Sequence, residues 1–269
     1  METINVKYLR KFNLVMGTIH FVQAVIMLFL GITFIQQITE FDFTPQIFIH
    51  YLSYNPALND GAGGLEFARR ALFDLPFGVM VSLFLFISAA AHMLIAVPKK
   101  FNAIYNRDLE KGINKFRWFE YALSSSIMIV LIAVLFGVYD IGSLVLIFVV
   151  NATMNLFGLV MEQLNAGKEK SGVDWGPFIW GTIAGLAPWV VIVIYMAGSG
   201  NLDMVPWFVW AIVVTYFIAF NTFPINMILQ YKGIGKWADY LYGERVYIIL
   251  SLVAKTILAW LVFFGALQP

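Results

Sequence analysis

Cysteine is absent from the chain, which excludes disulfide frameworks, thiolate nucleophiles and cysteine-ligated metals. Charge is nearly as scarce: Asp, Glu, Lys and Arg make up 12% of 269 residues, against roughly 25% in an ordinary soluble domain. The formal net charge of +1 offers no footprint for nucleic acid. No nucleophile, base and oxyanion donor can be placed together, so no enzymatic activity is expected. The run Gly61-Ala62-Gly63-Gly64 lacks the strand and helix of a phosphate loop and reads as a turn. Apolar residues, by contrast, reach 61%. One aqueous core cannot hide that much apolar surface, so the expected solvent is a lipid bilayer.

A bilayer core takes about 20 apolar residues in a helix. Seven stretches qualify, approximately 14–35, 75–97, 116–138, 142–164, 176–197, 205–229 and 246–266, and residues 1–269 read as one all-α membrane domain of seven transmembrane helices. The first stretch is long enough to span and no small-residue cleavage site follows it, so a cleavable signal peptide is not expected. Residues 98–115 read as a charged linker and 36–74 as a long polar loop. Within that loop, Ile38 to Thr44 and Ile47 to Leu52 straddle Pro45 and are rich in β-branched and aromatic residues, which predicts a short β-hairpin. Lys7, Arg10, Lys11, Lys99, Lys100, Arg107, Lys111, Lys115, Arg117, Lys168, Lys170, Lys232, Lys236 and Arg245 fall on one side, and only Arg69 and Arg70 on the other. Positive-inside bias then predicts a multi-pass cell-membrane protein with its N-terminus cytoplasmic, its C-terminus extracellular and the hairpin loop outside.

Ionisable groups within spans are costly, about 2.5–3.5 kcal/mol each on insertion scales, and are functional candidates by default. Lys255 lies about ten residues beyond Arg245, near mid-membrane at 1.5 Å per residue. Glu120 is the one acid clearly inside a span; Asp74, Asp140 and Glu162 sit at ends. Arg117, on the same face as Glu120, is expected to help keep it ionised. His20, His92 and Glu120 fall at similar depth, and helical spacing joins Gln23 to His20, Ser88 to His92, Ser124 to Glu120 and Ser251 to Lys255. Four helices thus direct polar groups toward one cavity in the cytoplasmic half. The residues alone leave several readings open. Lys255 either pairs with a carboxylate structurally or carries a covalent cofactor. His20, His92 and Glu120 form either a hydrogen-bond network or a metal site. Trp180, Trp189, Phe220 and Trp260 either line a ligand pocket or serve as packing and interfacial anchors. Gly181 and Gly185 mark either an internal close approach or a dimer seam.

Arg117-Trp118-Phe119-Glu120-Tyr121 with Ser124-Ser125 in the third span, and Ser251-Leu252-Val253-Ala254-Lys255-Thr256 in the seventh, resemble the heliorhodopsin family. His20 and His92, the hairpin-bearing loop and the inverted topology carry the same resemblance. It implies a rhodopsin-like bundle in which Lys255 forms a Schiff base with all-trans retinal, Glu120 is the counterion and Ser251 hydrogen-bonds nearby. It further implies that His20, Gln23, Ser88, His92, Tyr121, Ser124 and Ser125 belong to the adjoining polar cavity. Asn151, Met154, Trp180, Trp189, Phe220 and Trp260 would be chromophore neighbours, and a homodimer would form through the fourth and fifth helices.

A rhodopsin either senses or moves ions. A proton pump needs carriers on both sides of the Schiff base. Here no acid lies between Glu120 and Asp140, Ser251 stands where pumps often have a second carboxylate, and the polar residues crowd one half. The expected function is therefore photosensory, with a signalling partner reached through helices or loops; light-driven or light-gated ion transport is the alternative.

Overall fold

The computed structural model describes residues 4–34, 44–198, 200, 205 and 207–265. Helix α1 spans Val6–Phe29 and ends in a wide π turn, Leu30–Phe34. Strands β1 (Gln46–Asn55) and β2 (Gly64–Asp74) follow. The other helices are α2 (Phe77–Ala96), α3 (Lys99–Glu110), α4 (Lys115–Leu135), α5 (Ile141–Asn165), α6 (Gly176–Gly198), α7 (Trp207–Lys232) and α8 (Tyr240–Gly265). Among the described residues, seven helices are long and apolar enough to cross a membrane, all of these except α3.

Short polar side chains start three of the helices. Asn5 accepts from the Tyr8 amide, Asn114 from that of Arg117 and Asp140 from that of Ser143, each satisfying a donor that the first turn leaves free. Pro188 and Pro224 lie inside α6 and α7, where neighbouring helices can accommodate the lost backbone bond.

Two sequence expectations need correction. The linker 98–115 contains helix α3, whose buried residues Asn102, Tyr105, Asp108 and Leu109 recur at helical spacing. Lys99, Lys100, Arg107 and Glu110 occupy the outer face, while Tyr105 and Leu109 pack with Leu9, Ile95 and Ile248. Charge density disguised an amphipathic helix. The hairpin exists, but it does not turn at Pro45. Gln46–Asn55 pairs antiparallel with Gly64–Asp74, so the turn is the segment containing Gly61 and Gly63, both at positive φ. The expected strand from Ile38 falls, up to residue 43, outside the described residues.

The hairpin is anchored to the bundle at the start of α5. The Phe48 amide donates to the Tyr139 carbonyl at 2.9 Å, and His50 Nδ1 meets Asp140 Oδ2 at 2.9 Å. The Ser143 amide and His50 hold the Asp140 carboxyl below the usual carboxylate range. On this side of the bundle lies the main apolar core, where Ile47, Phe77, Ile132, Val138, Leu144 and Val262 are buried together. The opposite half holds the polar groups.

Candidate functional site

Lys255 and Glu120 meet there. Both are buried, with 3% and 8% of their surface exposed. Lys255 Nζ donates to Glu120 Oε1 at 2.5 Å, and the Ser88 hydroxyl lies 2.7 Å from Nζ and 2.6 Å from the same carboxylate oxygen. Glu120 lies on the second turn of α4, and the long lysine side chain reaches it by direct contact. The Nζ also lies 5.1 Å from the centre of the Tyr121 ring, a cation–π arrangement, and the Tyr121 hydroxyl donates to the Tyr247 carbonyl.

Two cavities flank this pair. The larger, about 320 Å³, is walled by α4, α5, α6, α7 and α8. Its lining is largely apolar, including Trp118, Met128, Met154, Trp189, Phe220 and Leu258, with Lys255, Tyr121 and Ser125 among the few polar members. That size and character suit a small apolar molecule, since such sites run from roughly 300 to 1,000 Å³. Glycines shape the wall. A Cβ on Gly158 would strike the Trp118 ring, and one on Gly185 would strike the Met154 thioether. A Cβ on Gly181 would crowd Phe157 and the Met154 carbonyl less severely, at 3.1 and 3.4 Å, so the small pair on α6 is an internal approach to α5.

The smaller cavity, about 30 Å³, is where polar side chains gather: Asn13, His92, Asn114, Arg117, Glu120, Glu244 and Ser251 line it, together with Ala91, Ile95, Phe116 and Ile248. His92 Nδ1 donates to Asn13 Oδ1 at 2.7 Å, and its ring stacks on that of His20 with centroids 5.6 Å apart. His20 is fully buried, and among the described residues neither of its ring nitrogens has a hydrogen-bond partner. Gln23 accepts from the Thr256 hydroxyl at 3.0 Å. Ser124 is buried one turn beyond Glu120. Among the described residues, no three His, Asp or Glu side chains are grouped to hold a metal.

The aromatic candidates divide. Trp189, Phe220 and Met154 stand on the wall of the large cavity. Trp180 does not: it is 60% exposed, on the side of α6 turned away from the bundle. Trp260 packs with Phe263 at the margin of the apolar core, off the cavity wall. Asn151 sits behind the lining, donating to Ser125 and Ser126, while Asn155, one turn further, reaches the cavity and donates to Ser125. Trp180 and Trp260 both lie on helices that wall the large cavity, but on faces that do not line it.

Arg117 also departs from expectation. Its guanidinium is taken by Glu162 and Glu244, both within hydrogen-bond reach, and not by Glu120. Trp118 Nε1 and the Asn114 amide donate to Glu162, while Asn114 Nδ2 and the Tyr105 hydroxyl donate to Glu244. The Tyr247 ring lies 3.9 Å beneath the guanidinium. Glu162 and Glu244 stand near helix ends; the sequence sets Glu162 at the end of a span and does not single out Glu244, yet both are buried. One signal could have found them. A guanidinium inside a span needs carboxylates, and these two acids lie at matching depth.

A comparison with curated proteins returns no match. A family model, Heliorhodopsin, matches residues 9–267.

Proposed function

The chain belongs to the heliorhodopsin family, whose members are retinal-binding, light-sensing rhodopsins, and from that premise we propose a photosensory protein that holds all-trans retinal on Lys255 as a Schiff base, with Glu120 as counterion. The observation that carries the reading is the position of Lys255: its side chain touches Glu120 and also forms part of the wall of an apolar cavity. A structural ion pair needs the first contact but not the second.

Retinal would supply visible-light absorption and isomerisation; the chain's own groups do the rest. Trp189, Phe220, Met154 and Leu258 offer apolar surface to a polyene and exclude water from it. Lys255 Nζ is the one amine on that wall. Ser88 and Glu120 accept hydrogen bonds from whatever proton the nitrogen carries, and the carboxylate balances its charge where solvent cannot. A carboxylate this close holds positive charge at the nitrogen end of a conjugated system. Neutralising Glu120 therefore moves absorption to longer wavelength or removes the nitrogen's proton.

Sensing is favoured over transport by the distribution of charge. Glu120, Arg117, Glu162 and Glu244 all lie toward one face, and the half beyond Lys255 is filled by the apolar core. A transported ion would need carriers on both sides. The fourteen basic residues on the N-terminal face against two on the other support a cytoplasmic N-terminus. A homodimer through α5 and α6 would cover their outward apolar residues, such as Leu146, Ile183 and Val190.

Adding all-trans retinal to the purified protein is expected to give a coloured pigment that hydroxylamine bleaches, and Lys255→Ala is expected to give none. A colourless wild-type sample would overturn the reading. Illuminated cells in unbuffered medium should show no ionophore-sensitive pH change; a sustained one would favour transport instead.

A further inference from the structure

Outside the Lys255–Glu120 pair, the densest ionisable cluster in the described residues is Arg117 with Glu162 and Glu244. With both acids ionised it holds one cation and two anions, all buried, and so carries one uncompensated negative charge. A single proton would neutralise it. Uncompensated charge away from water is strongly disfavoured, and two carboxylates on one guanidinium form a coupled site that can share a proton.

The cluster also adjoins the first pair. Glu244 and Arg117 line the same small polar cavity as Glu120, His92 and Ser251. About 30 Å³ of room, with more than four polar neighbours, meets the requirement for a bridging water, roughly 10–15 Å³ and two to four partners. Beside it a chain of side-chain hydrogen bonds runs from Glu244 to the Tyr105 hydroxyl at 3.1 Å, on to Asn13 at 3.4 Å and to His92 at 2.7 Å, ending at the cavity wall and not on the pair itself. An amide does not readily pass protons, so this chain fixes the geometry while the cavity offers the route.

We propose that Glu244, with Arg117 and Glu162, is a second proton-holding centre that exchanges a proton with the Glu120–Lys255 pair through the small polar cavity. In that exchange a bond to hydrogen breaks at the pair and an O–H bond forms on the Glu244 carboxylate. The pair goes from neutral to one negative charge, and the cluster from one negative charge to neutral. Other titratable groups face Glu244: Tyr105 from α3, Tyr121 from α4 and Tyr240 and Tyr247 from its own helix, with His92 across the cavity, while Tyr231 from α7 faces Glu162.

The centre is a property of the protein's own residues, so the decisive experiment needs no pigment. Retinal-free protein in lipid is titrated by infrared difference spectroscopy in heavy water, following the carbonyl stretch of protonated carboxylic acids. A titrating acid band is expected that is lost in Glu244→Gln, shifted in Glu244→Asp and retained in Glu120→Gln. If Glu244→Gln fails to fold, the Glu244→Asp shift decides. With retinal bound, the same band should change on illumination. No titrating acid band in folded protein, a band indifferent to both Glu244 variants, or a Glu244 band silent to light in a functioning pigment would overturn the proposal. Failure to form pigment would count against retinal binding alone and leave the titration to stand.

Discussion

Replacing Glu120 by alanine would leave the Lys255 amine buried with only the Ser88 hydroxyl and the face of Tyr121 as partners. Both side chains of the pair are almost wholly enclosed, so bulk solvent does not screen the charge left behind. Breaking such a pair from one side typically costs about 3–5 kcal/mol, whereas removing both charges is often close to neutral. The double variant Glu120→Ala/Lys255→Met, which keeps an unbranched apolar chain at 255, is therefore expected to be more stable than Glu120→Ala alone. A coupling energy of several kcal/mol should separate the double variant from the sum of the singles. The assay is equilibrium unfolding of retinal-free protein in a fixed lipid and detergent composition. Single-variant costs below about 1 kcal/mol with additive effects would refute the reasoning, because they would mean that the contact is solvated.

Gly185→Leu would drive a side chain into the Met154 thioether on the wall of the large cavity; overpacking of this kind costs about 1–3 kcal/mol, and pigment yield per folded protein is expected to drop. Trp180→Ala should leave the absorption band in place, since Trp180 faces away from the cavity, whereas Trp189→Ala should move it; both are read from spectra of the reconstituted proteins. The Asp140 carboxyl is held below its ordinary range by Ser143 and His50, so the stability it lends to hairpin docking is present above that ordinary range and is lost as pH falls through the lowered value. Protection of the Phe48 amide against hydrogen exchange, taken relative to the intrinsic rate at each pH, should fall over that acidic interval in the wild type and be low in Asp140→Asn already at neutral pH.

Sequence alone determined the seven crossings, because apolar length against bilayer thickness is a one-dimensional property that neighbouring helices scarcely alter. It also singled out Lys255 and Glu120, since an ionisable group within such a run is conspicuous wherever it points. What it could not fix was facing. Trp180 and Trp189 lie on one helix, and only the packing of α6 on α5 turns the first outward and the second onto the cavity. Helix α3 was hidden because its apolar stripe is narrow and its charges dominate the composition. Partner choice was likewise tertiary. Arg117 and Glu120 are three residues apart, close enough to suggest an alliance, but the guanidinium reaches Glu162 on α5 and Glu244 on α8 while Glu120 is left to Lys255. Distances between helices decide which opposite charges meet, and those distances come from the folded bundle.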